Sequence, residues 1–349
     1  MDQIELRSDN AAGVAPEILA AIADANAGSA LAYGADELTA RLEASVRQVF
    51  EHDSARVFPV ASGTAANALG LASLCPPWGA VLCHETAHIL QSEGGATSMF
   101  AAGAVMRGVT GDGFRVRPAP LRDALTRVWW GDPHHSQPAV LSLTQPTDMG
   151  TVYQLDEIAE LVSIARERGL KVHLDGARIA NALVALGCSP AELTWRSGVD
   201  VITLGATKNG AMSTDAIVTF DERAADELVY RTKRAGQVTS KMRFQSAQLL
   251  ASLADDLWLR LAANSNERMA ALAAGLENLG VELVNRPDVN MLFARVDDDV
   301  ADALGAAGVR FYRMGAGTIR MVTSWQTTAE DVDATLTTFA DALSRRVDT

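Results

Sequence analysis

The chain has 349 residues, of which 48% are hydrophobic and 21% charged, a composition that excludes a disordered or fibrous protein. Its 30 basic and 43 acidic residues give a net charge of -13, which argues against nucleic-acid binding but leaves room for a small anionic ligand. No apolar run approaches the roughly 18 residues of a membrane span, and MDQIELRSDN at the N-terminus has no apolar signal segment, so we expect a cytoplasmic protein.

From about residue 56, short apolar runs alternate with longer runs of helical period, which is typical of βα units and a mostly parallel sheet. A second helical region over 245–279 precedes short strands and a final helix over 327–345. We therefore predict an α/β fold with a large domain over 1–250 and a small α+β domain over 251–349. The predicted strands of the large domain are 55–61, 80–83, 139–144, 171–175, 199–205 and 215–220, and its clearest helix is 155–168.

The stretch ASGTAAN (61–67) is a turn of small residues between a predicted strand and a predicted helix. Backbone N–H groups at the start of that helix, near Gly63 and Thr64, would form an anion site with help from the helix dipole. The pattern is neither GxGxxG nor GxxxxGK[ST], so an ordinary strand-to-helix turn is the alternative. The hydroxyl groups of Ser62 or Thr64 would add donors, and a phosphate group would fit this turn.

The segment CHETAHILQSEGGA (83–96) places His84 and His88 on one helix face if it is helical, with Glu93 following. A metal site is therefore one interpretation, but the pattern is not HExxH and glycines interrupt it. A side chain stacked on a flat cofactor explains one of the two histidines equally well, and a solvent-facing side chain is the alternative for His84. The three cysteines form no CxxC pair, so we expect buried reduced thiols and no zinc site.

Two later strand ends carry opposite charges. In KVHLDGAR the predicted strand ends in Asp175, and Arg178 follows three residues later. In VITLGATKNG, Lys208 lies just past an apolar run, at the edge of the sheet where ligands gather. Pyridoxal phosphate needs an anion beside its ring nitrogen and a lysine for a Schiff base, and this pair meets both needs. Taken singly, Asp175 could cap a helix and Lys208 could extend into solvent.

The sequence resembles the pyridoxal-phosphate enzymes of aspartate-aminotransferase fold (fold type I), and within them the low-specificity L-threonine aldolases. The resemblance covers nearly the whole chain. It rests on RSDNAAG (7–13), AYGADELT (32–39), ASGTAAN (61–67), ETAHI (85–89), TQPTDMGTVY (144–153), HLDGAR (173–178), CSPAELTW (188–195), GATKNG (205–210), RAGQVTSKMRFQSA (234–247) and GTIRMVTSW (317–325).

The resemblance implies a role for each matching residue. Lys208 would carry pyridoxal phosphate as a Schiff base, Asp175 would pair with the ring nitrogen, and His88 would stack on the ring. Gly63 and Thr64 would bind the phosphate. No metal is implied.

The resemblance also implies residues that bind the substrate. Arg178 would lie beside the cofactor oxygen and the substrate carboxylate, and Arg320 would hold that carboxylate with help from Ser8. Tyr33 and the basic loop over 241–243 would reach a neighbouring subunit's site, in a homo-oligomer built from dimers.

The implied reaction is retro-aldol cleavage of L-threonine, L-allo-threonine and related L-β-hydroxy-α-amino acids to glycine and an aldehyde. His88, directly or through a water, is the candidate base. The same apparatus would serve a β-phenylserine aldolase, a β-eliminating lyase or an aminotransferase, because the fold does not choose the bond. A protein that binds the cofactor without turnover is a further alternative, whereas the missing GxGxxG disfavours a nicotinamide enzyme. TQPTDMG departs from the commonest family pattern, which leaves the preferred β-substituent open.

Overall fold

A computed structural model describes residues 3–345 of the chain. Its strands are β1 (Ile4–Glu5), β2 (Arg56–Val60), β3 (Gly79–His84), β4 (Val105–Val109), β5 (Gln137–Thr144), β6 (Lys171–Gly176), β7 (Val201–Leu204), β8 (Asp215–Thr219), β9 (Glu282–Asn285), β10 (Met291–Arg295), β11 (Val309–Arg310), β12 (Tyr312–Gly315) and β13 (Thr318–Val322). Its helices are α1 (Pro16–Ala25), α2 (Glu37–Val49), α3 (Gly63–Leu74), α4 (His88–Gln91), α5 (Ala96–Phe100), α6 (Pro118–Thr126), α7 (Leu155–Arg166), α8 (Ile179–Leu186), α9 (Pro190–Leu193), α10 (Glu222–Arg234), α11 (Arg243–Leu253), α12 (Leu257–Asn278), α13 (Asp298–Ala306) and α14 (Ala329–Ser344). Within residues 3–345, none of these helices has the length and apolar character that crossing a membrane requires.

Seven strands form the central sheet in the order β2-β8-β7-β6-β5-β3-β4. Strand β8 is antiparallel to its neighbours β2 and β7, and the other neighbouring pairs are parallel. Strands β3, β7 and β8 are buried along their whole length, as expected for a sheet that helices cover on both faces. The predicted mostly parallel α/β sheet is confirmed. The strand order places the carboxyl ends of β6 and β7 side by side. Asp175 lies near the end of β6, and Lys208 follows the end of β7.

All six strands predicted for the large domain are present, each within two residues of its expected bounds. Strand β4 was not predicted, because it is an edge strand whose sequence VMRGV contains glycine and arginine and is partly exposed. The helical region predicted over 245–279 is interrupted between α11 and α12. Asp255 and Asp256 have φ values of +48° and +54° there, a left-handed conformation that aspartate adopts more readily than most residues.

The carboxyl-terminal part forms a second, antiparallel sheet in the order β12-β13-β10-β9, with its own hydrophobic core against α12, α13 and α14. Helix α12 contributes Trp258 to the large core and Leu276 to the small one. The N-terminus joins the small core, because β1 pairs with β11 and Leu6 is buried in it. The segment after Leu6 leads from the small core towards the edge of the central sheet. The domain boundary at residue 250 stays a prediction.

Candidate active site

Lys208 lies in a short 3₁₀ turn, Thr207–Asn209, immediately after β7. The carboxylate of Asp215, at the start of the neighbouring β8, accepts hydrogen bonds from the N–H groups of Ala206 (2.7 Å) and Thr207 (3.0 Å) and so fixes this turn. Within residues 3–345, the Lys208 amine has no hydrogen bond or ion pair. The Arg178 guanidinium, and burial after it, hold the pKa of this amine below its ordinary value. These surroundings favour the neutral, nucleophilic form of the lysine.

Asp175 lies near the carboxyl end of β6, opposite Thr203 of β7, and only 2% of it is exposed. Its Oδ2 accepts a hydrogen bond from Asn67 Nδ2 (3.0 Å) and its Oδ1 accepts one from the Ala177 N–H (3.1 Å). The alternative that Asp175 caps a helix is wrong, because the next helix begins at Ile179 and Asp175 itself belongs to the strand. A buried carboxylate is thus held at the sheet edge with lone pairs to spare.

Lys208 and Asp175 both line a cavity of about 280 Å³ above the edge of the sheet. It is lined by six of the predicted site residues, Lys208, Asp175, Arg178, His88, Gly63 and Thr64. The structure therefore brings together side chains that are up to 145 positions apart in the sequence (208 − 63).

Helix α3 begins at this cavity with its capping residue Ser62, whose Oγ accepts a hydrogen bond from the Ala65 N–H (3.2 Å). The N–H groups of Gly63 and Thr64 lie in the first helical turn, where no acceptor exists within the helix. A Cβ placed on Gly63 would have Asp215 Oδ2, 3.9 Å away, as its nearest neighbour, so the space in front of this turn is open. The predicted anion-binding turn is therefore a true helix start facing the cavity.

His88 begins α4 and is held at two points. Its backbone N–H donates to Asp148 Oδ2 (3.1 Å), and its Nδ1 lies 3.0 Å from Glu93 Oε1. The hydrogen bond to Glu93, acting against burial and helped by Asp148, raises the pKa of the imidazole. The pKa of Asp148 is itself raised, by burial and then by the negative charge of Asp175.

The interpretation of His84 and His88 as a pair on one helix face is wrong. His84 is the last residue of β3, and it is buried rather than solvent-facing, with 6% exposed. Its Nδ1 accepts a hydrogen bond from the Thr86 N–H (3.2 Å). No cluster of histidine, cysteine and acidic side chains suited to a metal ion occurs in the part of the chain that the structure describes.

Three predicted substrate residues lie outside the lining of this cavity. Arg320, on β13, donates from Nη2 to the Arg7 carbonyl (3.2 Å), next to Ser8, and its guanidinium lies over the Tyr312 ring at 5.0 Å. Its Nε is buried and has no hydrogen-bond partner among residues 3–345. Tyr33 is 59% exposed and is covered on one face by the Lys233 amine, 4.3 Å from the ring centre. Their roles toward the substrate stay predictions.

Several known proteins are similar to this chain in sequence and in fold. A model of the β-eliminating lyase family matches residues 5–299. A Pseudomonas aeruginosa protein named low specificity L-threonine aldolase is 43% identical over 331 residues, which cover 94% of each chain. The chain belongs to the threonine aldolases. A solved threonine aldolase of Leishmania major has the same fold, with a TM-score of 0.89 and 27% identity over 98% of each chain.

The fold also extends to more distant enzymes. A mutant aspartate aminotransferase of Thermus thermophilus, 18% identical over 95% of this chain and 93% of its own, gives a TM-score of 0.69. The predicted fold type, family, enzyme class and cofactor are thereby confirmed: this chain is a pyridoxal-phosphate-dependent lyase.

The residues of the cavity fit that cofactor. The cavity contains a lysine amine that has no partner among residues 3–345, a buried carboxylate at the neighbouring strand end, and a helix start with open space in front of it. These are the three groups that the aldehyde, the ring nitrogen and the phosphate of pyridoxal phosphate require. Lys208, Asp175 and the first turn of α3 would hold them.

Asp9 is a site residue that sequence reasoning missed. It is 1% exposed and receives two hydrogen bonds from Arg178, from Nε (2.6 Å) and from Nη2 (2.9 Å). Asn290, just before β10, donates a third at 3.1 Å. The N-terminal segment and the small core thus orient a guanidinium that lines the cavity. Asp9 stands in the motif RSDNAAG, but nothing local to that motif indicates its partner.

Replacing Asp9 with asparagine is expected to lower the free energy of unfolding by about 3 kcal/mol, because it removes the carboxylate that is hydrogen-bonded to the buried Arg178 guanidinium. Burial acts to raise the pKa of Asp9, but the Arg178 charge outweighs it and holds this pKa below its ordinary value. The carboxylate therefore stabilises the protein above its unfolded-state pKa, and this contribution is lost as pH falls through the folded-state pKa. Urea denaturation between neutral and acidic pH measures both effects.

Glu167→Gln serves as the control for that experiment, because Glu167 pairs with Arg122 at the surface, where both side chains are about half exposed. Its loss is expected to change stability by less than about 1 kcal/mol. Equal losses in the two variants would contradict the role assigned to the Asp9–Arg178 pair.

Proposed function

We propose that this protein cleaves L-threonine, L-allo-threonine and related L-β-hydroxy-α-amino acids to glycine and an aldehyde. One observation carries the proposal: a lysine amine that has no partner in the described part of the chain shares a cavity with a buried carboxylate and a helix start suited to an anion, in a chain of the threonine aldolase family. The relatives' name supports the substrate class. The reaction is a carbon–carbon bond cleavage next to an amine, for which this arrangement of groups is suited.

The residues around the cavity would each have one role in the reaction. Pyridoxal phosphate, when bound, supplies a ring that accepts the electron pair of the broken bond. Lys208 would hold it covalently and Asp175 would keep its ring nitrogen protonated, while the start of α3 would bind its phosphate. His88 would cover one face of the ring.

Arg178 and Arg320 would orient the substrate by its carboxylate, with Ser8 beside them. The bond that breaks is the one held perpendicular to the ring, so the position of the carboxylate selects Cα–Cβ over the other bonds at Cα. Asp9 orients the guanidinium of Arg178 through two hydrogen bonds. The guanidinium of Arg320 would be a second group for the substrate carboxylate. His88 would take the proton of the β-hydroxyl group.

Two related activities use the same residues. A β-phenylserine aldolase differs in the pocket for the β-substituent, towards which Asp148 of the segment TQPTDMG would project from the cavity wall. A β-eliminating lyase would break a bond at Cβ instead, and a protein without turnover would bind the cofactor and stop there. The products distinguish all of these.

The test is an assay of the purified protein, loaded with pyridoxal phosphate, against L-threonine, L-allo-threonine, L-phenylserine and L-serine. We expect acetaldehyde and glycine in equal amounts from the first two. Benzaldehyde formed far faster than acetaldehyde would favour the phenylserine aldolase, and pyruvate with ammonia would favour elimination. A cofactor-loaded protein that releases none of these products would refute the proposal.

We further propose a cytoplasmic homo-oligomer built from dimers. The exposed ring of Tyr33 and the exposed Lys241 support a site shared between subunits, because neither lines the cavity of its own chain. The three cysteines are free thiols, with Cys188 only partly buried, which suits a reducing compartment. Sedimentation equilibrium, with a Tyr33→Ala variant assayed for activity, would test this arrangement.

A further inference from the structure

A chain of buried polar side chains runs beneath the cavity. The amide of Asn67 donates from Nδ2 both to Glu93 Oε1 (2.8 Å) and to Asp175 Oδ2 (3.0 Å), while its Oδ1 accepts a hydrogen bond from Thr203 (2.6 Å). The same Oε1 of Glu93 lies 3.0 Å from His88 Nδ1. The amide of Asn67 thus connects Asp175, the carboxylate that would face the cofactor's ring nitrogen, with Glu93, the carboxylate that contacts His88.

Glu93 has few other partners. Its side chain is completely buried, and its Oε2 has no hydrogen-bond donor among residues 3–345. A buried carboxylate that is left so incompletely paired costs free energy. Its two partners in the described chain are Asn67 and His88, so its charge is directed at the histidine.

This contact determines which nitrogen of His88 carries the proton. A carboxylate oxygen can only accept, so His88 Nδ1 must be the N–H donor. In the neutral imidazole the lone pair is then on Nε2, which has no partner among the described residues, in a side chain that lines the cavity. The backbone contact of His88 with Asp148 fixes the main chain of the same residue.

We propose that Glu93 is the positioning residue for His88: it holds Nδ1 protonated and leaves Nε2 free to take the β-hydroxyl proton of the substrate. This inference rests on the proposed function and names the base within it. The proton leaves the β-hydroxyl oxygen and binds Nε2, and the positive charge of the resulting imidazolium is balanced by Glu93. Asn67 keeps this pair in register with Asp175.

The proposal predicts a direction for the pH dependence. Three acidic groups face His88, namely Glu93, Asp148 and Asp175, and Glu93 contributes most to the raised pKa of the imidazole, against burial. The base works unprotonated, so kcat/KM falls as pH falls through the His88 pKa. Replacing Glu93 with glutamine removes the largest of these contributions, so the acidic limb of the profile is expected to move to lower pH.

Glu93→Gln is also expected to lower kcat at optimal pH by about 10-fold or more, because the imidazole loses the carboxylate that sets its tautomer and orientation. His88→Asn, which removes the base itself, is expected to lower kcat by roughly 10²-fold or more. Glu85→Gln is the matched control, since it makes the same charge change in the same segment at an exposed side chain. It is expected to leave both the rate and the pH profile unchanged.

A second readout does not depend on turnover. In the holoenzyme labelled with ¹⁵N-histidine, the His88 resonances, assigned by their loss in His88→Asn, report the tautomer and the pKa directly. We expect the Nδ1–H tautomer above the pKa in the wild type, and a lower pKa in Glu93→Gln. An Nε2–H tautomer in the wild type, or the same His88 pKa in both proteins, would overturn the role of Glu93. A wild type with the expected tautomer that cleaves no β-hydroxy amino acid would refute the proposed function instead.

Discussion

Replacing Lys208 with alanine is expected to lower kcat by at least about 10³-fold, the scale seen when a covalent nucleophile is removed. The reason lies in the surroundings of the amine, which has no partner in the described chain and whose pKa is lowered by Arg178 and by burial. Among the described residues that line the cavity, Lys208 is the only lysine, and the Arg178 guanidinium is paired with Asp9. Steady-state rates of aldehyde release measure the loss, and the visible absorbance of the dialysed protein measures cofactor retention.

Lys171→Gln is the control for this substitution. Lys171 begins β6 at the opposite edge of the same sheet, where it pairs with Asp200 and Asp221 and is 42% exposed. Its loss is expected to cost less than about 1 kcal/mol of stability and to leave kcat unchanged. A Lys208→Ala protein that keeps both its colour after dialysis and its rate would remove Lys208 from the reaction.

The positions of Lys208 and Asp175 could be predicted from the sequence because strand ends leave a local signal. A run of apolar residues that stops at a charged one marks the edge of a buried strand, and parallel strands bring such ends together. The same reasoning located the start of α3 at Gly63. For His88, the pattern of residues left a metal ligand and a ring-stacking side chain as alternatives, and the resemblance to a family chose the second. For Arg320, the pattern named no role, and the resemblance supplied one.

The supporting residues left no such signal. Asn67 and Asp175 are 108 positions apart, Asp9 and Arg178 are 169 apart, and each pair forms only when distant elements pack. Glu93 was named in the sequence for its place after two histidines, and its contact with Asn67 could not be anticipated. Predicting these contacts requires the register between elements, which local patterns do not specify.

A second large effect is expected from Asp175→Asn, which keeps the shape of the side chain and removes its charge. The buried carboxylate would stabilise a protonated ring nitrogen, and without it the ring would accept electrons less well, so kcat is expected to fall by roughly 10²-fold or more. Lys208 is untouched in this variant, so the protein should still hold the cofactor covalently and stay coloured. The test combines the rate of aldehyde release with the absorbance spectrum of the dialysed protein.

Asp200→Asn separates this electronic effect from the general cost of neutralising a buried acid. Asp200 is 9% exposed and accepts hydrogen bonds from Arg166 Nη2 (2.7 Å) and from the Val172 N–H (2.7 Å) at the far end of the sheet. Replacing Asp200 should reduce stability and leave kcat unchanged, whereas Asp175→Asn should lower kcat and leave stability unchanged. If both variants lost stability and kept their rates, the charge of Asp175 would serve the fold rather than the reaction, and the ring nitrogen would need no anion beside it.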